Sequence, residues 1–362
     1  MDQPTDAWLV LNASEVSPTR QLQLLDAFGS ADAILGATDQ QLSEVDGITQ
    51  VHIKKLRATQ QQVNLAELHQ KCAEYQLSIL TITDEGYPAL LKEIDDPPPV
   101  LFVQGGLSKA DELALAVVGT RKCTPYGRTV ARELTTNLAQ RGFTIVSGLA
   151  TGIDSEAHEA ALEAGGRTIA VLACGADITY PSQHRQLREQ IAQSGAVITE
   201  CPFGTPPTRE RFPVRNRLIS GLSLGTVVVE APSKSGALIT ARLAAEQGRE
   251  VFAVPGDINS PTSRGCHGLI KDGAQLVEVP EDVVDGLGIM LRAVPAREQH
   301  REVELHGDEE IVYQALSYQP RHADEIAESC EISPAQVTSA LMLLEVKGLV
   351  RRFAGNTYVR LN

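Results

Sequence analysis

The stretch "TRERFPVRNR" holds Arg209, Arg211, Arg215 and Arg217 against one acid, Glu210, in a 362-residue chain of net charge -14. Guanidinium groups grip phosphate bidentately, so such a cluster on an acidic body suggests an anion site. Arg121 in "GTRKCTPYG" and Lys234 in "SKSGALIT" each stand where an apolar run ends and a helical run begins. A helix N-terminus presents unpaired N–H groups and the positive end of the dipole, which attract anions. Gly119 allows a close backbone approach beside Arg121. "SGLATGIDSEAH" adds Ser147, Gly148 and Gly152, whose small side chains and free amides suit a phosphate cradle. The same glycines serve equally as tight turns, with Asp154 as a helix N-cap. Only Glu210 lies near enough in sequence to neutralise Arg215 and Arg217, so both are expected to flank a groove. Arg121, Arg215, Arg217, Lys234 and the glycine amides then form a basic track that suits a strand of several phosphates better than one nucleotide.

The elements that would position these residues are legible as short apolar runs. "LALAVVGT", "FTIVSG", "TIAVLACG", "GAVITE", "GTVVVEA" and "EVFAVPG" read as six buried parallel strands, most ending in Gly or a polar residue. The segments between them are long enough for crossover helices. "YGRTVARELTTNLAQRG" and "SGALITARLAAEQGR" read as helices closed by Gly. The expected core is therefore a doubly wound, Rossmann-like α/β sheet over 79–290, with ligands at the carboxyl ends of its strands. A connector with Pro88 and Pro97–Pro99 leads into it through short strands at 79–82 and 100–103.

Residues 1–78 read as a small helical domain. "LSEVDGITQVHIKKL" resembles half of a helix-hairpin-helix, with Thr49 where a second glycine is usual. Residues 291–304 read as a linker. Residues 305–362 give three helical segments and a hairpin around Gly355–Asn356, the layout of a winged helix. Residues 301–362 carry six Lys/Arg against ten Asp/Glu, a net of -4, so duplex affinity from this domain alone should be weak and a protein-interaction role fits it better.

Composition narrows the classes further. Hydrophobic content of 43% and charged content of 22% fit a globular protein, and 4% aromatics argue against a broad base-stacking platform. The six cysteines are scattered without CxxC or Cys/His spacing, so neither a disulfide framework nor a metal site is expected, and the thiols read as reduced and cytoplasmic. No apolar run approaches the ~20 residues that span a bilayer, so no membrane role is expected. There is no G-x-G-x-x-G after the first sheet strand, no Walker lysine, no HExxH and no GxSxG, so no cofactor is expected. A phosphoribohydrolase-like enzyme on the same type of fold is the competing reading, yet "VPGDINSPTSRG" lacks the second glycine and helix-borne Glu of such enzymes. Ser147, Asp154 and His158 lie on one loop and helix start, too close in sequence for a convincing triad.

"GTRKCTPYG", "SGLATGIDSEAHEAAL", "GRTIAVLACGADITYPSQHRQL", "FPVRNRLISGLS", "KSGALIT" and "GREVFAVPGD" together resemble the blocks of the DNA processing protein A (DprA, also Smf) family. The resemblance runs in order over roughly 80–285. It implies a non-enzymatic single-stranded DNA binder with an extended Rossmann fold, dimeric, that loads the recombinase RecA during natural transformation. It also implies an N-terminal sterile-alpha-motif-like domain and, in some members, a C-terminal winged helix. The DNA-contacting positions it implies are Arg121, Arg215, Arg217 and Lys234, with Gly119, Ser147, Gly148, Asn216, Ser235 and Gly236 in the same blocks. Two positions depart from the family pattern: His267 stands where Asn is common, and Leu238 where an aromatic sometimes follows "KSG".

Overall fold

A computed structural model describes residues 5–288, 305, 307–317, 320–330, 332–347, 349–353 and 355–360. The expected linker at 291–304 lies outside the described residues. The central body is one nine-stranded sheet: β1 (Leu77–Thr81), β2 (Val100–Gly105), β3 (Ala114–Val118), β4 (Thr144–Ser147), β5 (Thr168–Val171), β6 (Ala196–Thr199), β7 (Gly225–Val228), β8 (Glu250–Ala253) and β9 (Gln275–Leu276). Their spatial order is β1-β2-β6-β5-β4-β3-β7-β8-β9. The six apolar runs are β3 to β8, and all pair in parallel. Strands β3 to β7 are buried at every position, because helices cover both faces, and that is why they read as unbroken apolar runs. The connector strands do more than lead in: β2 pairs antiparallel with β6, and β1 with β2, so they extend the same sheet. The two-residue β9, too short to show a period, was not expected from sequence.

Strand β3 has β4 on one side and β7 on the other, so the winding direction reverses between β3 and β7. The crevice at such a switch point is where open α/β sheets bind ligands. Two apolar clusters flank the sheet there. One contains Val118, Val146, Leu218, Ile219 and Val228, the other Val117, Ile145, Ile153, Val227 and Phe252. The "FPVRNRLISG" stretch is a helix, Arg211–Gly221, that packs against the helix Gly236–Glu246.

The N-terminal residues form helices from Asp6–Ala13 to Leu65–Glu74 around Leu24, Ile34, Leu42, Ile53 and Leu56. Gly29 closes the helix Pro18–Phe28 with φ +79°, a left-handed cap that suits glycine. The C-terminal residues form the helices Asp308–Ala315, Ala323–Cys330 and Pro334–Val346, with β10 (Arg321–His322), β11 (Val350–Phe353) and β12 (Thr357–Arg360) in a small antiparallel sheet. Gly355 and Asn356 both have positive φ in the β11–β12 turn, as tight hairpins require.

Candidate nucleic-acid interface

The loops after β3, β4 and β7 meet at the switch point. The Thr120 amide donates to the Glu230 carbonyl at 2.7 Å, which ties the first loop to the third. Arg121 is exposed and its guanidinium carbon stands 4.7 Å from the centroid of the Phe212 ring. Arg215 approaches the same ring at 6.0 Å, and Tyr180 at 5.8 Å with its ring tilted by 47°. Tyr180 is 41% exposed. An arginine stacked on an aromatic face keeps its N–H fork free for phosphate while the ring offers a surface to a base. Phe212 and Tyr180 were missed from sequence, because a low aromatic total says nothing about where the few rings gather. Their one local signal was position: Phe212 heads the arginine helix, and Tyr180 sits in the quoted "DITYPSQH" block.

The expected cations have unequal fates. Arg121 and Lys234 are exposed. Lys234 precedes Ser235, which accepts from the Ala237 amide at 3.3 Å and caps the helix Gly236–Glu246; Gly236 faces open space. Asn216 links this turn to the arginine helix: its Nδ2 donates to the Gly236 carbonyl at 3.4 Å. Arg215 lines a cavity together with Arg211 and Arg217, yet little of it is open to solvent. It is 95% buried in the sense that only 5% of its surface is exposed, and it donates to the carbonyls of Gly148, at 2.8 Å, and Val171. A Cβ at residue 148 would lie within 2.7 Å of that guanidinium, so only glycine lets Arg215 reach this loop. Burial lowers the Arg215 pKa to about 10, with the Asp154 carboxylate opposing the shift, so the side chain is cationic at neutral pH.

Arg217 lines the same cavity and is committed to two acids. Its Nε lies 3.0 Å from Asp96 and its Nη2 2.5 Å from Glu200. Both carboxylates arrive from elsewhere in the chain, so the acids near Arg217 in sequence do not set its environment. Arg211 faces Glu15 at 3.6 Å. Of the four expected cations, Arg121 and Lys234 are exposed, whereas Arg215 and Arg217 each expose only 5% of their surface.

Ser147 is fully buried and its hydroxyl donates to the Val117 carbonyl at 2.7 Å, so it offers nothing to a ligand. Gly119 serves packing, since a Cβ there would lie 2.5 Å from Ile153. Asp154 is no N-cap; Gly152 holds that place, and Asp154 accepts from the amides of Gly148 at 3.2 Å and Ala150 at 3.4 Å. Burial raises its pKa, and Arg215 opposes the rise. His158 Nδ1 meets Thr168 Oγ1 at 2.7 Å, while that hydroxyl donates to the Ile145 carbonyl. Nδ1 therefore carries the ring proton, and burial lowers the His158 pKa to about 3. Ser147, Asp154 and His158 are each engaged by separate partners and make no nucleophile–base pair. His267 does contact the neighbouring loop, with Nε2 3.1 Å from the Gly256 carbonyl oxygen. Leu238 is half-buried against the core rather than presented for stacking.

A doubly wound sheet with a cation-lined switch point defines an anion-binding α/β protein. Comparison with known families makes this specific. The family model for DNA recombination-mediator protein A matches residues 78–288, and that for the DprA winged helix domain matches residues 296–356. The chain belongs to the DprA/Smf family. Protein Smf of Synechocystis sp. is 36% identical over 358 residues, covering 88% of this chain and 89% of its own. DNA processing protein DprA of Bacillus subtilis is 44% identical over 59% of this chain and 72% of its own. The X-ray structure of DNA processing protein A from Streptococcus pneumoniae superposes with a TM-score of 0.69 at 36% identity, covering 79% of this chain and 98% of that one. A second solved relative, from Helicobacter pylori, covers 59% of this chain and 95% of its own at 32% identity and TM-score 0.53, and was described for its single-stranded DNA binding mode. Among the described residues no helix is long and apolar enough to cross a membrane.

Proposed function

We propose that this chain is a cytoplasmic, non-enzymatic single-stranded DNA binder that handles incoming DNA in natural transformation and passes it to the recombinase RecA. The observation that carries this reading is the Arg121–Phe212–Tyr180 cluster at the switch point, with Lys234 on the adjoining loop. Cations that track a backbone beside rings that stack bases favour unpaired strands, because a duplex hides its base faces. The Helicobacter pylori relative, described as binding single-stranded DNA, supports it. A nucleotide-cleaving role is disfavoured by the engagement of Ser147, Asp154 and His158 inside the fold. Anisotropy titrations of equal-length single-stranded and duplex oligonucleotides over a salt range test the proposal. Tighter single-strand binding at every salt concentration is expected; equal or tighter duplex binding would refute it. RecA filament assembly on single strands, timed with and without this chain, tests the hand-over.

The winged helix fits a protein contact better than a duplex contact. Its third helix exposes Thr338, Ser339, Met342 and Leu343, and its Lys347 is held by Glu309 at 2.7 Å. A homodimer through the α/β body is the second part of the proposal. A groove of about 790 Å³ runs between the helices Gly236–Glu246 and Arg264–Lys271, lined by Leu238, Ala241, Ala245, Val251 and Leu269. Its edges carry Arg242 and Arg264 as well as Glu250 and Asp272, so a two-fold copy can match opposite charges across the seam. Sedimentation at micromolar concentration should give a dimer, and Ala245→Glu should give a folded monomer. A wild-type monomer would remove the dimer from the proposal.

A further inference from the structure

A cavity of about 580 Å³ opens at the carboxyl ends of β3, β7 and β8, lined by Tyr126, Glu230, Asp257, Ser260 and Ser263. Ser317 and Pro320 of the C-terminal domain close one side. Among the described residues its lining holds two carboxylates and no cation, so it repels the phosphates that the neighbouring loops attract. The walls are held in place. Tyr126 donates its hydroxyl to the Pro255 carbonyl at 2.9 Å, and His267 holds Gly256. Glu230 is 3% exposed; its Oε1 accepts from the hydroxyls of Thr124 and Thr262, and its Oε2 from the Thr124 amide at 2.8 Å. A carboxylate has about four acceptor sites, so Oε2 retains capacity for one more donor.

The cavity adjoins the phosphate-attracting loops. The Glu230 carbonyl accepts from the Thr120 amide next to Arg121, and Lys234 follows on the same loop as Glu230. A planar ring, hydroxyls and acceptors without cations suit a neutral planar group that presents N–H donors. We propose that this cavity receives one nucleobase of the bound strand and selects bases bearing an amino group, cytosine before thymine. Carboxylates accept from the cytosine N4 amino group, whereas thymine presents the O4 acceptor there. Tyr126 supplies the stacking face. The inference rests on the single-strand reading above.

The test uses the full chain, with oligo-dC and oligo-dT of equal length at pH 8 and fixed salt. Oligo-dC should bind more tightly by at least about fivefold. Ser260→Phe, which fills the cavity, should bring the two affinities together while leaving oligo-dT affinity and its salt dependence unchanged. A thermal melt reports whether that variant folds; if it does not, Asp257→Asn at an exposed position decides, and it must at least halve the preference. Equal wild-type binding of the two oligomers overturns the cavity proposal alone, as does a preference that survives in the folded variant. Failure to bind either oligomer overturns the single-strand reading itself.

Discussion

Arg217→Ala is expected to cost about 3 kcal/mol of stability at neutral pH, the cost of leaving a mostly buried charge without its partner. Only 5% of Arg217 is exposed, and it lies against both Asp96 and Glu200. Burial holds both carboxyls above the usual carboxylate range, and Arg217 is the group that pulls each back. Without it their folded pKa values rise further above the unfolded ones. The folded variant then binds more protons than the unfolded chain, so its stability falls as pH rises through those folded values and recovers on acidification. Urea melts at about pH 5 and pH 8 should therefore show a smaller deficit at the lower pH. A variant as stable as wild type at pH 8 would mean that the triad contributes nothing. Arg215→Ala belongs with this experiment, since it strips the Gly148 and Val171 carbonyls of their donor. Loss of DNA binding in either variant would report on folding before it reported on contact.

Phe212→Ala should weaken single-strand binding by about 1–3 kcal/mol at every salt concentration, the usual worth of one stacked base. The loss should not change the slope of log affinity against log salt, because no phosphate contact is removed. Arg121→Ala should behave differently. It should flatten that slope by about 0.7, as should Lys234→Ala, because each neutralised phosphate releases its counterion. Both cations are exposed, so neither change should disturb folding. Phe212 is half-buried between Arg121 and Tyr180, so its variant needs a melting curve beside the titration. Undiminished affinity of a folded Phe212→Ala would remove base stacking from this site, and unchanged slopes for both cation variants would place the phosphate track elsewhere.

Strand identity and loop position were legible in the amino-acid order. The runs that became β3 to β7 announce themselves because burial on both faces leaves a continuous apolar string, a property that neighbouring residues share. Glycines and polar residues at the ends of those runs marked the loops that carry Arg121, Gly148 and Lys234. The ordered motif blocks likewise pointed to the family. What each charge does there was decided only by the tertiary structure. Arg215 and Arg217 stand two residues apart on one helix, yet one donates to loop and strand carbonyls, while the other donates to Glu200 and forms an ion pair with Asp96. Asp96 reaches Arg217 from just before β2, and Glu200 from the end of β6, and no count of local acids could foresee either. The rings of Phe212 and Tyr180 meet for the same reason, brought together by strand order rather than by proximity in sequence. Apolar periodicity is a local property of the chain, whereas the partner of a charge or a ring is set by whatever the folded sheet places beside it.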